Sequence, residues 1–329
     1  MIKRIAPIAL VLLLGAVAGG CVVNGGGKSA TATASSTSAG AAAWYAPYVD
    51  ASLTMPKFPG RQVVLGFITG NGCTPTWNGT PLARATAINT RIEQTQALSD
   101  QVIASFGGET GPEPAVSCSD PTQLAASYQA VVSRYNLSSI DLDIEGSASL
   151  NSSVNARRAV AIATVQKAQA RAGRGLAVWL SLAVTPSGLL PDSLAVVREM
   201  VSAGVTISGV NVMTLDYGAL GAQTVLSASE SALTSTAAQI QSLGLHSWSE
   251  LGATIMEGHT DTARQVWNLS DAQAFWTFAY THRLGRLSEW SLLRDQQCSG
   301  TPPQPSNACS GVTQQPQQFS EILGNETTP

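Results

Sequence analysis

An eight-stranded parallel β/α barrel, the TIM barrel of the α/β class, is the fold this sequence predicts. Three observations point to it. Eight short apolar runs, many of them β-branched, recur along the chain. Helix-like stretches fill most of the gaps between them. The alternation as a whole takes about 250 residues, the size of one such barrel. A doubly wound open sheet is the alternative, but no Gly-rich nucleotide loop follows the first run.

The apolar runs cover residues 44–49, 63–68, 102–106, 140–145, 177–184, 209–214, 252–256 and 287–292. Their length suits strands, and strands separated by helices run parallel. The helix-like stretches cover residues 87–98, 120–135, 154–172, 194–203, 230–243 and 271–283. Ser270 is expected to cap the last of these, with Gly285 following its final turn. Only residues 257–286 separate the seventh and eighth runs. A single domain without a large insertion between these runs is therefore expected.

The two ends read differently from the middle. Lys3 and Arg4 precede an apolar stretch over residues 8–17, and Ala18, Gly19, Gly20 and Cys21 follow. This is the layout of a signal peptide, expected over residues 1–20. The apolar stretch is too short and wrongly flanked for an ordinary transmembrane helix. Val17-Ala18-Gly19-Gly20-Cys21 resembles a bacterial lipobox. That resemblance implies a lipid on Cys21 and anchoring at the outer face of the bacterial cell membrane, with plain extracellular secretion as the alternative. Residues 21–42 are rich in Gly, Ser, Thr and Ala and read as a flexible tether. From Pro302 onward Pro, Gln, Ser and Thr dominate. The folded domain is expected over residues 43–312, with 313–329 as a loose tail.

Composition narrows the function. Hydrophobic residues make up 44% of the chain, enough for a sizeable core. Charged residues make up 12% and the net charge is −3, so no basic surplus offers a surface for nucleic acid or anionic lipid. With Cys21 assigned to the leader junction, Cys73, Cys118, Cys298 and Cys309 remain, an even number that fits two disulfides outside the cytoplasm. Of the three possible pairings, Cys73–Cys118 with the local Cys298–Cys309 is expected. A zinc site would need CxxC spacing or clustered histidines, and the sequence has neither.

The fourth run carries the chemistry. Ile140, Leu142 and Ile144 alternate with Asp141, Asp143 and Glu145, so the acids share one face. A solvated edge strand would show the same alternation. Strands of a parallel barrel, however, are covered on both sides. Three acids then point into the barrel, where burial is costly, with Glu145 nearest the C-terminal mouth. Neighbours two residues apart lie roughly 7 Å from each other. Not all three ionise together, so a proton is shared and at least one pKa rises. A carboxyl protonated near neutral pH is what a general acid requires. Metal binding by the three acids is the other reading, with no clear ligand set nearby.

Residues 138–146 resemble the strand motif of glycoside hydrolase family 18, the chitinases and their relatives, written Asp-x-x-Asp-x-Asp-x-Glu. Asp141, Asp143 and Glu145 match it, and Ser138 stands where the first Asp is expected. Further segments agree in order. Ser105-Phe106-Gly107-Gly108 resembles the Ser-x-Gly-Gly motif that ends the third strand. Met213-Thr214-Leu215-Asp216-Tyr217-Gly218 resembles the sixth-strand motif, with Leu215 in place of its Tyr. Ile255-Met256-Glu257-Gly258 and Glu289-Trp290-Ser291 resemble the ends of the seventh and eighth strands. Cys73-Thr74-Pro75-Thr76-Trp77 resembles a segment of the bacterial members.

The resemblance implies a chitinase-like glycoside hydrolase acting on β-1,4-linked N-acetylglucosamine, by a retaining mechanism in which the substrate's own acetamide attacks. Glu145 would be the acid and base, Asp143 would orient the acetamide, and Asp141 would share a proton with Asp143. Asp216 and Tyr217 would bind the distorted sugar, Tyr217 supplying the hydroxyl that Leu215 lacks. Met213 would wall the site, Trp290 would floor it, and Trp77 is a candidate sugar contact for which loop packing is the competing reading. No metal or organic cofactor is implied, and a monomer acting on chitin or its oligomers is expected. Two other functions stay open at this stage: an endo-β-N-acetylglucosaminidase acting on glycoprotein or cell-wall glycans, and a chitin-binding surface lipoprotein with little catalysis.

Overall fold

The computed structural model describes residues 45–53, 62–98, 101–300 and 305–325. The expected signal peptide, Cys21 and the tether lie outside them. Residues from Gly40 onward form one compact unit.

Eight parallel strands build a TIM barrel, as expected. They are β1 (Tyr48–Asp50), β2 (Gln62–Asn71), β3 (Gln101–Gly107), β4 (Ser139–Asp143), β5 (Ala177–Thr185), β6 (Gly209–Met213), β7 (Leu251–Met256) and β8 (Arg286–Trp290). Each pairs with the next in parallel; Tyr48 lies beside Val64, Ser105 beside Asp141, Ser181 beside Asn211 and Thr254 beside Ser288. The ring closes where Tyr45 bridges Leu287 and the Leu292 amide donates to the Tyr48 carbonyl at 2.9 Å.

Helices α1 (Thr86–Ala97), α2 (Pro121–Arg134), α3 (Ser152–Arg171), α4 (Pro191–Ser202), α5 (Val225–Gln241) and α6 (Leu269–His282) join consecutive strands from β2 to β8. Local chemistry fixes their starts. Asp120 accepts from the Thr122 amide at 2.8 Å and the Gln123 amide at 3.0 Å, with Pro121 at the first helical position. The start of α6 lies earlier than expected: Asn268, not Ser270, is its cap, because Asp271 reaches back to the Asn268 amide at 3.2 Å. Its end is set by Arg283 in the left-handed conformation, φ 60°. Gly285 serves a close approach instead, since a Cβ there would stand 1.9 Å from the Ser249 carbonyl oxygen.

The alternation of β4 sorts its residues as read from sequence. Ile140, Leu142 and Ile144 are buried in the apolar layer beneath the helices. No insertion domain separates β7 from β8; a two-residue-per-strand hairpin (Gly258–His259 with Val266–Trp267) and α6 occupy that interval. Both expected disulfides are present, Cys73–Cys118 and Cys298–Cys309.

The expectation of a loose tail over residues 313–329 is corrected. Helix α7 (Gln318–Leu323) packs on the barrel with Phe319 and Leu323 buried. Asp295 accepts from the Phe319 amide at 3.0 Å and the Ser320 amide at 2.7 Å. The Trp276 indole donates to the Asn325 carbonyl at 3.0 Å. A polar composition hid one short amphipathic turn held by backbone capping.

Candidate active site

β4 ends at Asp143, and Glu145 stands just beyond it at the C-terminal mouth of the barrel, where it precedes a short turn of helix, Gly146–Ser149. Backbone contacts pin this exit. The Gly108 amide donates to the Asp143 carbonyl at 3.1 Å, and the Ile144 amide to the Ser181 carbonyl at 3.1 Å. Gly107 has φ 113°, and a Cβ there would lie 2.0 Å from the Asp143 carbonyl oxygen. Only glycine admits that approach.

The three acids sit in three different environments. Asp141 is fully buried and paired to Arg286 of β8 at 2.9 Å. The Ser105 hydroxyl donates to it at 2.7 Å, and the hydroxyls of Tyr48 and Ser181 lie 3.0 and 2.8 Å away. Asp143 is 5% exposed. Burial, and then the charges of Glu145 and Asp141, push its pKa well above the usual carboxylate range. Its Oδ1 has no hydrogen-bond partner among the described residues, and its carboxyl is hydrogen-bonded to Glu145. Glu145 is partly exposed. Burial, assisted by Glu109 and Asp216, raises it to about 7 against the opposing bond from Asp143. Both carboxyls of the pair are thus held toward the protonated form, Glu145 up to about 7.

Glu145 and Asp143 line a cavity of about 350 Å³. Trp290 forms part of its wall and stacks on Phe67 at 5.5 Å, with Tyr48 edge-on at 6.1 Å. Met213, Leu215, Asp216 and Met256 add to the wall. An acid protonated near pH 7, a second carboxyl beneath it and an aromatic surface beside them can protonate a leaving oxygen above a stacked ring.

No protein-family model matches the chain. Over 275 residues it is 32% identical to the "Probable bifunctional chitinase/lysozyme" of Escherichia coli (strain K12), covering 76% of this chain and 31% of that protein. Over 273 residues it is 31% identical to "Endochitinase 11" of Metarhizium anisopliae, covering 76% and 52%. The chain thus spans a third to a half of the length of these curated relatives. A solved structure of active domain 2 of the thermostable chitinase from Pyrococcus furiosus, complexed with chito-oligosaccharides, superposes with a TM-score of 0.75 at 25% identity, covering 86% of this chain and 94% of that one. In sequence and in fold this chain is chitinase-like.

Within the chitinase-like pocket two expected residues are displaced. Tyr217 does not line the cavity. It is buried at 2% exposure and its hydroxyl bonds Ser229 of α5 at 3.1 Å, while burial raises the pKa of that hydroxyl above its usual range. The left-handed turn at Asp216, φ 48°, carries the next residue away from the mouth and leaves Leu215 on the wall. Asp216 accepts from the Thr262 amide at 2.7 Å, which ties the β6 exit to the β7 exit. Trp77 is also no sugar contact. It is 1% exposed in the hairpin that extends β2, and its indole donates to the Tyr135 hydroxyl at 2.9 Å. Motif reading missed Tyr48, Phe67, Glu109, Asp261 and Thr262, which all line the cavity. Tyr48 and Phe67 could have been found as aromatics on the first two strands; the others sit in loops without periodicity.

Proposed function

We propose that the chain is a retaining, substrate-assisted chitinase. The observation that carries this reading is the Asp143–Glu145 pair at the cavity floor. Glu145, raised to about 7, is available as an acid for the leaving glycosidic oxygen. Asp143 lines the cavity with one buried oxygen that no protein donor fills. An acetamide N–H is the donor that suits it, and such a bond would hold the acetamide oxygen toward the anomeric carbon. Attack by that oxygen gives an oxazolinium, whose positive charge lies beside the Asp143–Glu145 pair; Glu145 then takes a proton from the incoming water. Trp290, backed by Phe67, offers its face to the sugar. Asp216 is placed at the rim to bind a hydroxyl of the same unit.

The relatives support this substrate class. Two carry chitinase in their names, and the Pyrococcus furiosus domain was solved with chito-oligosaccharides. The lysozyme half of the bacterial relative's name favours peptidoglycan strands, which also carry N-acetylated sugars, as the second substrate to test.

Chitin oligomers of defined length, with products and anomers followed by proton NMR, provide the test. The β-anomer is expected first, and Glu145→Gln is expected to bind oligomers while losing about 10²- to 10⁴-fold in kcat. An initial α-anomer, or near-normal turnover by the variant, would overturn the mechanism. Binding without any hydrolysis by the wild type would point to a surface binding protein instead.

A further inference from the structure

Arg286 begins β8 and belongs to none of the motifs, yet it is completely buried inside the barrel. Its Nη1 stands 2.9 Å from Asp141 Oδ1. Its Nε donates to the Ser288 hydroxyl at 3.0 Å, and its guanidinium lies over the rings of Tyr48 and Trp179 at 5.3 and 5.6 Å. Arginine does not lose its proton in proteins. A guanidinium this deep is tolerated beside an anion, and removing the partner charge of such a pair is strongly destabilising.

Asp141 is built to be that anion. The buried Ser105 hydroxyl donates to Asp141 at 2.7 Å. Tyr48 and Ser181 both reach the carboxylate but stand 2.7 Å from each other. Each hydroxyl has a single proton, so together they supply at least one bond to Asp141. Three donors or more therefore converge on it. Protonating Asp141 would sacrifice one of these and uncouple the ion pair.

Asp143, two residues nearer the mouth, forms no ion pair among the described residues, although the Arg286 charge reaches it. Its carboxyl is bonded to Glu145. The titratable groups acting on the pair are Glu109 and Asp216 at the mouth, with Asp141, Arg286 and Tyr48 below. Thr254 and Met256 of β7 and Trp290 of β8 line the same cavity without charge. Ser138, just before β4, is exposed, and its carbonyl accepts from the Ala177 amide at 2.9 Å.

We propose that Arg286 is a positioning residue for catalysis: its ion pair fixes Asp141 as a permanent carboxylate and confines the mobile proton to Asp143 and Glu145. This deepens the catalytic reading above and rests on it. It also replaces the proton sharing between Asp141 and Asp143 that the motif implies. A proton confined to the upper pair stays where the leaving oxygen can receive it.

The location of the proton can be read without turnover, by ¹³C NMR of carboxyl-labelled Asp and Glu. In the wild type, Asp141 is expected to stay ionised from about pH 5 to about pH 8 while Asp143 stays protonated and Glu145 titrates. In Arg286→Met, Asp141 is expected to take up a proton, and the Glu145 midpoint to rise by about one pH unit or more. Arg286→Lys, which keeps the charge, should return the wild-type pattern. Should Arg286→Met fail to fold, Asp141→Asn and Asp141→Asn/Arg286→Met decide the matter. The single variant should lower the Asp143 and Glu145 midpoints, and the double variant, with both charges gone, should restore them. Proton uptake by Asp141 in the wild type within that range overturns the proposal. So does an unchanged titration of Glu145 across all the variants. Neither outcome depends on whether chitin is the substrate.

Discussion

Glu145 gives the site its pH dependence. The form that donates to a leaving oxygen is the protonated one, and burial holds that form up to about pH 7. kcat/KM for an N-acetylglucosamine oligomer is therefore expected to fall as pH rises, with a midpoint near that value; activity that stays flat well above it would remove Glu145 from the role. Tyr217 makes the opposite case. Its hydroxyl is spent on Ser229, so Tyr217→Phe is expected to leave kcat within about two-fold. The same change should cost about 1 kcal/mol of stability, the worth of one buried hydrogen bond. A large loss of kcat would return Tyr217 to the site. The contrast shows what was legible at this scale. Asp141, Asp143 and Glu145 follow from strict alternation on a strand, which fixes side-chain direction. Tyr217 lies past a strand end, where one left-handed residue redirects the chain and no period predicts it. Arg286 was hidden for another reason: one charged residue at the head of a short apolar run gives no periodic signal.

Among the elements, the eight strands and six connecting helices were readable because each apolar run overlaps a strand that the barrel buries, though the first run starts four residues before β1 and the second stops three short of the end of β2. The pairing of the cysteines was expected and is present, and the two bridges differ in consequence. Cys73–Cys118 spans 45 residues and joins the β2 hairpin to the loop after β3; Cys298–Cys309 spans 11 and closes a loop beyond β8. On loop-closure entropy the first is worth about 4 kcal/mol and the second about 3. Paired Cys→Ser substitutions are expected to lower the denaturation midpoint in that order, as urea titrations would show; the reverse order would mean that native packing, not chain entropy, sets their worth. For Trp77, left open between sugar contact and packing, the structure shows packing, and α7 was missed from the same cause. A polar, Gly-, Thr- or Gln-rich stretch announces solvent, yet Trp77 and Phe319 are anchored by partners far along the chain.

For the molecule as a whole, the notable quantity is the set of carboxyls whose pKa values are raised by burial. Asp143 and Glu257 lie well above their usual range, Glu145 is raised to about 7 and Glu289 to about 8. In each case burial is the leading cause. Between about pH 4.5 and 8 the folded chain keeps protons that the unfolded chain has released. Stability therefore declines as pH rises through that window. Calorimetric melting is expected to show Tm falling from pH 5 toward pH 8; a Tm that climbs over that interval would contradict the burial assigned to these groups.

Helix α7 carries a consequence for how the chain is made. The Ser320 hydroxyl lies 2.6 Å from Glu289 Oε1 and 2.7 Å from Asp295 Oδ2, and Phe319 is buried beside it. These groups belong to or follow β8, the strand that closes the barrel against β1. During synthesis β1 emerges first and waits for nearly the whole chain before its neighbour exists. Even then the acids beside β8 remain uncovered until the ribosome has released residues 318–323. Completion of this face thus depends on residues 318–323 as well as on β8, and truncation between the two would leave Glu289 and Asp295 without these partners.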